Sequence, residues 1–210
     1  MIQLEQISPE KIEQRSFEII EQELGGITLD PLQAPIIKRC IHTSADFDYV
    51  QNLVFSPHAV ECAHQALKNG ACIVTDTQMA KAGINKTALA KLGCEIFCFM
   101  ADEDVARTAK AQGTTRAIAS MDKAATLGRP TIFAIGNAPT ALVRLCELME
   151  HGLTPALIIG APVGFVNVVE AKELLLRSHI PHIVARGRKG GSTIAAAICN
   201  ALLYSIVDRE

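Results

Sequence analysis

Tryptophan is absent from this 210-residue chain, and only 4% of its residues are aromatic. A core without large rings has to be built mainly from Ala, Val, Ile and Leu, and a hydrophobic fraction of 49% is enough for one. No charge of one sign dominates, because the formal net charge is -2. This balance argues against a nucleic-acid-binding protein, which usually carries a basic excess.

Long uninterrupted apolar runs are also missing. The apolar stretch 154–169 is broken by two prolines and two glycines, so it does not suit a membrane span. The first residues lack the charged and then apolar pattern of a secretory signal. The seven cysteines, an odd number scattered through apolar segments, indicate reduced thiols. We therefore expect a cytoplasmic protein that does not cross a membrane.

The chain lacks the short motifs that identify many enzymes. It has no Walker A loop, no GxGxxG after the first clear strand and no GxSxG nucleophile motif. It has no HExxH either, and the spacings of Cys62/His64 and Cys94/Cys98 do not suit zinc. We expect no resident metal.

The order of apolar segments predicts the fold class. Short apolar runs without alternation, typical of strands buried on both faces, alternate with helical segments. The predicted strands are 71–75, 95–100, 131–135, 156–159 and 182–185. The predicted helices are 9–24, 35–42, 56–69, 102–112, 116–127, 138–151, 167–178 and 192–207. We expect a single domain over residues 1–210, a three-layer α/β/α fold with a mostly parallel sheet.

Ligands of parallel sheets bind beyond the carboxyl ends of the strands. Four segments follow predicted strands in this way: 75–77, 136–137, 160–164 and 186–191. The last one carries two arginines, one lysine and three glycines before a helix, a composition typical of an anion site. A solvated basic turn is the plain alternative. The turn at 136–142 opens another helix, whose free N–H groups would bind a carboxylate unless the turn is only a connection.

A segment dense in titratable groups surrounds His42. If it is helical, Arg39 and His42 share a face, and Arg39 would lower the pKa of the imidazolium whereas Asp46 would raise it. A histidine near its ordinary pKa suits acid–base catalysis at neutral pH. Composition alone favours the plainer alternative, an exposed helix end with a capping histidine.

Five segments, in this order and at these spacings, resemble the precorrin-8X methylmutase family. They are 41–48 (IHTSADFD), 75–79 (TDTQM), 136–142 (GNAPTAL), 162–166 (PVGFV) and 186–192 (RGRKGGS). The resemblance runs from about Ser8 to the C-terminus and departs around Asn167, where many members carry Gly or Ala. It implies a homodimeric α/β enzyme without an organic cofactor. The implied reaction moves a methyl group from C-11 to C-12 of a tetrapyrrole polycarboxylate in cobalamin biosynthesis.

The resemblance also implies roles for individual residues. The family's proton donor and acceptor falls on His42, and substrate contacts fall on Ser16, Arg39 and Arg116. Further substrate contacts are expected within the motifs, at Thr77, Asn137, Gly164, Arg186 and Arg188. A protonated histidine beside a ring nitrogen would ease the methyl shift, and arginines would grip the carboxylates.

Two other functions stay open at this point. The same basic pocket would suit a non-catalytic corrinoid carrier that hands its tetrapyrrole to a neighbouring enzyme of the pathway. The hypothesis of a phosphate- or nucleotide-binding α/β enzyme is based on the Gly-rich turns alone. The missing Walker A and GxGxxG motifs count against it. The residues around His42 look closer to family members whose substrate already contains cobalt.

Overall fold

The computed structural model describes residues 5–207, and within that range one sheet has the strand order β1-β6-β5-β4-β2-β3. The strands are β1 (Leu53–Phe55), β2 (Cys72–Thr75), β3 (Glu95–Phe97), β4 (Thr131–Ile135), β5 (Leu157–Gly160) and β6 (His182–Ala185). The first helices are α1 (Pro9–Leu24), α2 (Ala34–Ser44), α3 (Tyr49–Asn52), α4 (Ala59–Lys68), α5 (Gln78–Gly83) and α6 (Lys86–Lys91). The later helices are α7 (Glu103–Gln112), α8 (Arg116–Ala125), α9 (Pro139–Glu150), α10 (Val168–Leu176) and α11 (Ser192–Tyr204).

The five strands β2 to β6 run parallel, and β1 pairs antiparallel with β6 at one edge. Every residue of β2, β4, β5 and β6 is buried. Strands covered on both faces need apolar residues at successive positions, which explains the non-alternating runs in the sequence.

Helices cover both faces of the sheet. On one face α2, α4, α6 and α11 share a core with strand residues such as Ile73 and Ile132, while α1 packs on α2 and α5 packs on α11 and β2. On the other face α8, α9 and α10 pack against their neighbours Val74 and Phe133. Successive strand residues point to opposite faces, so each strand contributes to both cores. The predicted three-layer α/β/α fold with a mostly parallel sheet is confirmed.

The chain changes the direction of winding at β2 and β4. α5 and α6 connect β2 to β3 on the first face, whereas α7 and α8 lead from β3 back to β4, with α8 on the second face. In doubly wound sheets, the crevice outside such a reversal is the usual ligand position.

Several predicted elements were wrong or missing. β1 was not predicted, and neither were the three short helices α3, α5 and α6. The run 95–100 is a strand only over Glu95–Phe97 and then forms a 3-10 turn, Phe99–Ala101. The helix predicted from Ser56 begins at Ala59, because His58 adopts a left-handed conformation with φ of 58°. The remaining helices agree with the prediction to within three residues at each end.

Gly136 lies where the end of β4 meets the start of α11. A Cβ added there would lie 2.6 Å from Cα and 2.9 Å from N of Ser192. Both contacts are with backbone atoms, which cannot rotate away as a side chain does. Only glycine allows the two segments to approach this closely.

We expect Gly136→Ala to lower the free energy of unfolding by about 3 kcal/mol, because two backbone segments must separate. Chemical denaturation followed by circular dichroism measures the loss. Gly128→Ala is the matched control: its methyl group would meet nothing within 4 Å, and its positive φ alone costs about 1 kcal/mol. Equal losses in the two variants would contradict the close approach at Gly136.

Candidate functional site

His42 lies in the last turn of α2, where it is exposed to solvent. Its ring stacks on Phe17 of α1, with centroids 5.2 Å apart and planes inclined by 16°. Ser16 lines the same cleft, which has a volume of about 300 Å³. α2 ends here because Ala45 is left-handed, and its N–H donates to the Ile41 carbonyl at 2.7 Å. The structure thus brings two predicted site residues, His42 and Ser16, into one open cleft.

Arg39 lies one turn before His42 and packs against the same aromatic ring. Its guanidinium lies 4.8 Å from the Phe17 centroid and 5.4 Å from that of Tyr204. It also forms an ion pair with Glu13 of α1. The Arg39 side chain is only 12% exposed, and its Nε has no hydrogen-bond partner among the described residues. Arg39 also lines a separate cavity of about 530 Å³ between α2 and α11. Because its guanidinium already pairs with Glu13 and packs on two aromatic rings, little of it is left to contact a ligand.

Lys189 joins the end of α2 to the basic loop, residues 186–191. Its Nζ lies 2.7 Å from an Asp46 oxygen and 2.6 Å from an Asp48 oxygen. This hydrogen bond from Lys189 lowers the pKa of Asp46. The Asp46 carboxylate is therefore engaged with Lys189. The two ion pairs of Lys189 hold the segment after His42 beside the basic loop.

α10 holds the basic loop through two consecutive residues. Lys172 is 0% exposed, and its ammonium donates to the carbonyls of Gly187 at 2.7 Å and Lys189 at 2.8 Å. Glu173 accepts two hydrogen bonds from the Arg186 guanidinium, at 2.8 and 3.2 Å. Two of the three loop cations, Arg186 and Lys189, are therefore already paired with carboxylates of the protein.

Arg188 is the loop cation that forms no ion pair with any residue in the range 5–207. Its guanidinium is exposed and lies 5.5 Å from the ring centroid of Phe165, which is itself 81% exposed. Gly164, with φ of 148°, donates its N–H to the Arg188 carbonyl at 3.2 Å. Gly164 thus contributes backbone geometry, and Arg188 presents a free cation beside an exposed ring.

The crevice between β2 and β4 is filled by a carboxylate of the protein. Asp76 is completely buried and accepts hydrogen bonds from the N–H groups of Gly136 (2.8 Å), Asn137 (2.8 Å) and Ala138 (2.6 Å). Burial raises the pKa of Asp76, and the three donors oppose that shift. The prediction that these N–H groups are free for a carboxylate of a ligand is therefore wrong, because Asp76 occupies them.

Thr77 begins α5 and uses its hydroxyl within the protein. Its Oγ1 accepts a hydrogen bond from the Ala80 N–H at 3.0 Å and lies 2.7 Å from Oγ of Ser192. The hydroxyl therefore caps one helix and joins it to the start of another.

Arg116 and Asn137 lie at the same edge of the sheet, and both are exposed. Arg116 is the first residue of α8, and the preceding Thr115 hydroxyl lies 3.4 Å from that of Thr140 in the first turn of α9. Like Arg188, Arg116 forms no ion pair within the described range. Arg116 and Asn137 are therefore both accessible to a ligand.

The predicted site residues thus form two groups. Ser16, Arg39 and His42 lie on α1 and α2, whereas the other six lie beyond the carboxyl ends of the strands. The contacts of Lys189 connect the groups. Sequence reasoning included Asp76 in the candidate segment 75–77 without giving it a role, and it missed Phe17 and Lys172 as parts of the site. A carboxylate directly after an apolar strand was a signal for Asp76, but nothing local distinguishes Lys172 from a surface lysine.

A family model described as precorrin-8X methylmutase matches residues 11–205. The chain belongs to the precorrin-8X methylmutase family. It is 48% identical to a cobalt-precorrin-8 methylmutase of Salmonella typhimurium, over 94% of this chain and 96% of that one. A cobalt-precorrin-8 methylmutase of Priestia megaterium is 45% identical, over 93% and 88%. A solved structure of precorrin-8X methylmutase from Thermus thermophilus has a TM-score of 0.85 and 42% identity, over 92% of this chain and 96% of that chain.

Membership of the precorrin-8X methylmutase family confirms the resemblance and the predicted class of enzyme, because a methylmutase is an isomerase. Between residues 5 and 207, no helix is long and apolar enough to cross a membrane. The same range contains no group of three or more His, Cys, Asp or Glu side chains that could hold a metal ion.

The buried ammonium of Lys172 predicts a pH dependence of stability. Burial lowers the pKa of Lys172 from 10.5 to about 8. Between these values the folded protein binds fewer protons than the unfolded chain, so the contribution of Lys172 to the free energy of unfolding rises with pH. The expected rise is on the order of 3 kcal/mol, at about 1.4 kcal/mol per pKa unit.

Denaturation of the wild type and of Lys172→Met across this pH range measures the effect as a difference. The difference is needed because burial also raises the pKa of Cys40 and Cys199 to about 12. Because the folded state keeps these thiols protonated, they lower the free energy of unfolding of both proteins as the pH rises above the ordinary thiol pKa of 9.0. A difference that stays constant with pH would rule out a depressed pKa for Lys172.

Proposed function

We propose that this chain moves a methyl group from C-11 to C-12 of precorrin-8X or cobalt-precorrin-8, with His42 as the acid. The shift is a 1,5-rearrangement of cobalamin biosynthesis that gives hydrogenobyrinate or cobyrinate. One observation carries the proposal: an exposed imidazole lies in an open cleft, and Lys189 holds its helix beside a loop with a free arginine. The names of the relatives support the choice of substrate.

The geometry of His42 suits proton transfer. Stacking on Phe17 holds the face of the imidazole and leaves its edge free, and neither ring nitrogen has a hydrogen-bond partner within the described range. A proton shared with a macrocycle nitrogen would withdraw electron density from the migrating centre, and it would return to His42 when the product forms. The reaction conserves all atoms and needs no oxidant. Such general acid help is typically worth about 10²–10⁴ in rate.

The expected substrate contacts differ in whether their charges are already paired within the protein. Arg188 and Arg116 are exposed and form no ion pair within residues 5–207, so they can grip substrate carboxylates without losing another partner. Arg186 and Arg39 would first have to leave Glu173 and Glu13. Ser16, Thr77, Asn137 and Gly164 would contribute through polar atoms or backbone shape.

The setting of the reaction is part of the same proposal. We expect a homodimer in the cytoplasm that needs no cofactor of its own, and any cobalt would belong to the substrate. The cobalt-containing substrate is the first choice because two relatives with 45% and 48% identity are named for it. Direct hand-over of the product to a neighbouring enzyme of the pathway would protect a labile tetrapyrrole.

A non-catalytic corrinoid carrier is the second candidate, since the free arginines serve binding as well as catalysis. A nucleotide-binding enzyme is disfavoured, because Asp76 already occupies the N–H groups that would bind a phosphate beside β4. Incubation of the protein with cobalt-precorrin-8 and, separately, with precorrin-8X distinguishes the first two. Formation of a corrin chromophore at constant mass supports the isomerase, whereas tight binding without a spectral change supports the carrier.

We expect His42→Ala to lower kcat by about 10²–10⁴ and to change substrate affinity by less than about threefold, because the acid is lost but the binding groups remain. Turnover is followed by the visible spectrum, and affinity by equilibrium titration. His179→Ala, which removes another exposed histidine, should retain activity. Full turnover by a folded His42→Ala protein would exclude the acid role.

We expect Arg188→Ala to weaken substrate binding about tenfold or more, at about 1.5–3 kcal/mol for a hydrogen bond to a charged group. Arg116→Ala should have a similar effect. Arg186→Ala should cost less than about threefold, because Glu173 competes for this guanidinium. Arg107→Ala, an exposed arginine on α7, serves as the control. A larger loss for Arg186→Ala than for Arg188→Ala would overturn this ranking.

A further inference from the structure

Lys172 is an unusual residue for the middle of a buried helix face. It is 0% exposed and ranks among the largest fully buried side chains of the described residues. No carboxylate in the range 5–207 forms an ion pair with it. Burial of an ammonium group without a counter-charge is strongly unfavourable, so an apolar residue would serve packing better. The position must meet a need that only a hydrogen-bond donor can meet.

That need lies in the backbone of the basic loop. Gly187 and Gly190 have φ of 78° and 154°, and a Cβ at Gly190 would lie 2.2 Å from the Ala161 carbonyl oxygen. The loop is therefore pressed against the segment after β5, which restricts the directions in which its carbonyls can point. Lys172 supplies the donors for two of these carbonyls. Without these donors, the two partly buried carbonyls would lose the hydrogen bonds that hold them.

The two carbonyls bracket one residue. Lys172 donates to Gly187 and Lys189, and Arg188 lies between them. The carbonyl of Arg188 itself accepts from Gly164 at 3.2 Å. Three successive carbonyls are thus fixed from inside the protein, and the Arg188 side chain remains exposed.

We infer that Lys172 is the positioning residue of the basic loop: by holding the carbonyls on both sides of Arg188, it presents that guanidinium to the carboxylates of the substrate. This inference rests on the proposed function, because it assigns Arg188 to substrate binding. Lys172 touches no substrate and acts through the loop. Glu173 and the aspartates that bind Lys189 hold side chains, whereas Lys172 holds the backbone itself.

Lys172→Met tests the role, because methionine fills a similar volume but donates no hydrogen bond. We expect KM for cobalt-precorrin-8 to rise about tenfold with kcat within about twofold. We also expect faster amide hydrogen exchange in residues 186–191 and unchanged exchange in the strands. Arg177→Gln is the matched control, since it removes one positive charge from the exposed end of the same helix. It should leave KM and exchange unchanged.

A double-mutant cycle separates positioning from general stability. If Lys172 acts through Arg188, Arg188→Ala should add little to the KM of Lys172→Met, whereas Arg116→Ala should add its full effect. Full additivity with Arg188→Ala, or an unchanged KM, would overturn the inference. If Lys172→Met does not fold, Lys172→Gln replaces it; its amide keeps N–H donors but is one atom shorter, so we expect a smaller rise in KM and in loop exchange. Faster loop exchange without any rise in KM would overturn the inference, because the loop would then have loosened without effect on binding.

The exchange measurement needs no substrate, so the two proposals can fail separately. A wild-type protein that does not convert either substrate would refute the proposed function even if the loop loosens in Lys172→Met. An active wild type whose loop exchange and KM are indifferent to Lys172→Met would refute only the positioning role.

Discussion

The hydrogen bonds of the buried Asp76 carboxylate organise the carboxyl edge of the sheet. This side chain directly after β2 accepts hydrogen bonds from three N–H groups in the turn between β4 and α9. It therefore ties together β2 and β4, the strands on the two sides of the winding reversal. The same turn contains Gly136, whose close approach to Ser192 sets the start of α11 and hence the end of the basic loop. An anion supplied by the protein therefore replaces the ligand that this crevice holds in many doubly wound proteins.

Because the central crevice is filled, the free polar groups lie around it. The imidazole of His42 faces an open cleft on α1 and α2, and Arg188 and Arg116 project from separate elements of the sheet edge. A large macrocycle with carboxylates around its rim matches a site of this kind, whose charges are spread out, better than a compact phosphate does. The protein neutralises its other loop cations with Glu173, Asp46 and Asp48, so a net charge of -2 is compatible with a basic binding surface.

The sequence predicted the elements that carry a strong local signal. Runs such as Thr131–Ile135 identify buried strands, and helices that begin with Pro9 or Pro139 are found where they were predicted. β1 was not predicted because three residues at an antiparallel edge show no period. α3, α5 and α6 were not predicted because they have only four, six and six residues. Their existence depends on tertiary packing, which overrides weak local preference in short segments.

The sequence by itself determined the fold class and the family and proposed the residues of the candidate site, because strand burial, turn chemistry and five ordered motifs are local properties. Only the tertiary structure decided which charges are free. Arg186, Arg188 and Lys189 are close neighbours in sequence, but Arg186 pairs with a carboxylate of α10 and Lys189 with two carboxylates after α2. Arg188 forms no ion pair within residues 5–207. Likewise, nothing in the sequence distinguishes Lys172 from a surface lysine. Only the folded structure buries its side chain and brings its ammonium to two loop carbonyls. Ion pairing and burial depend on distances between segments far apart in the chain, and those distances exist only after folding.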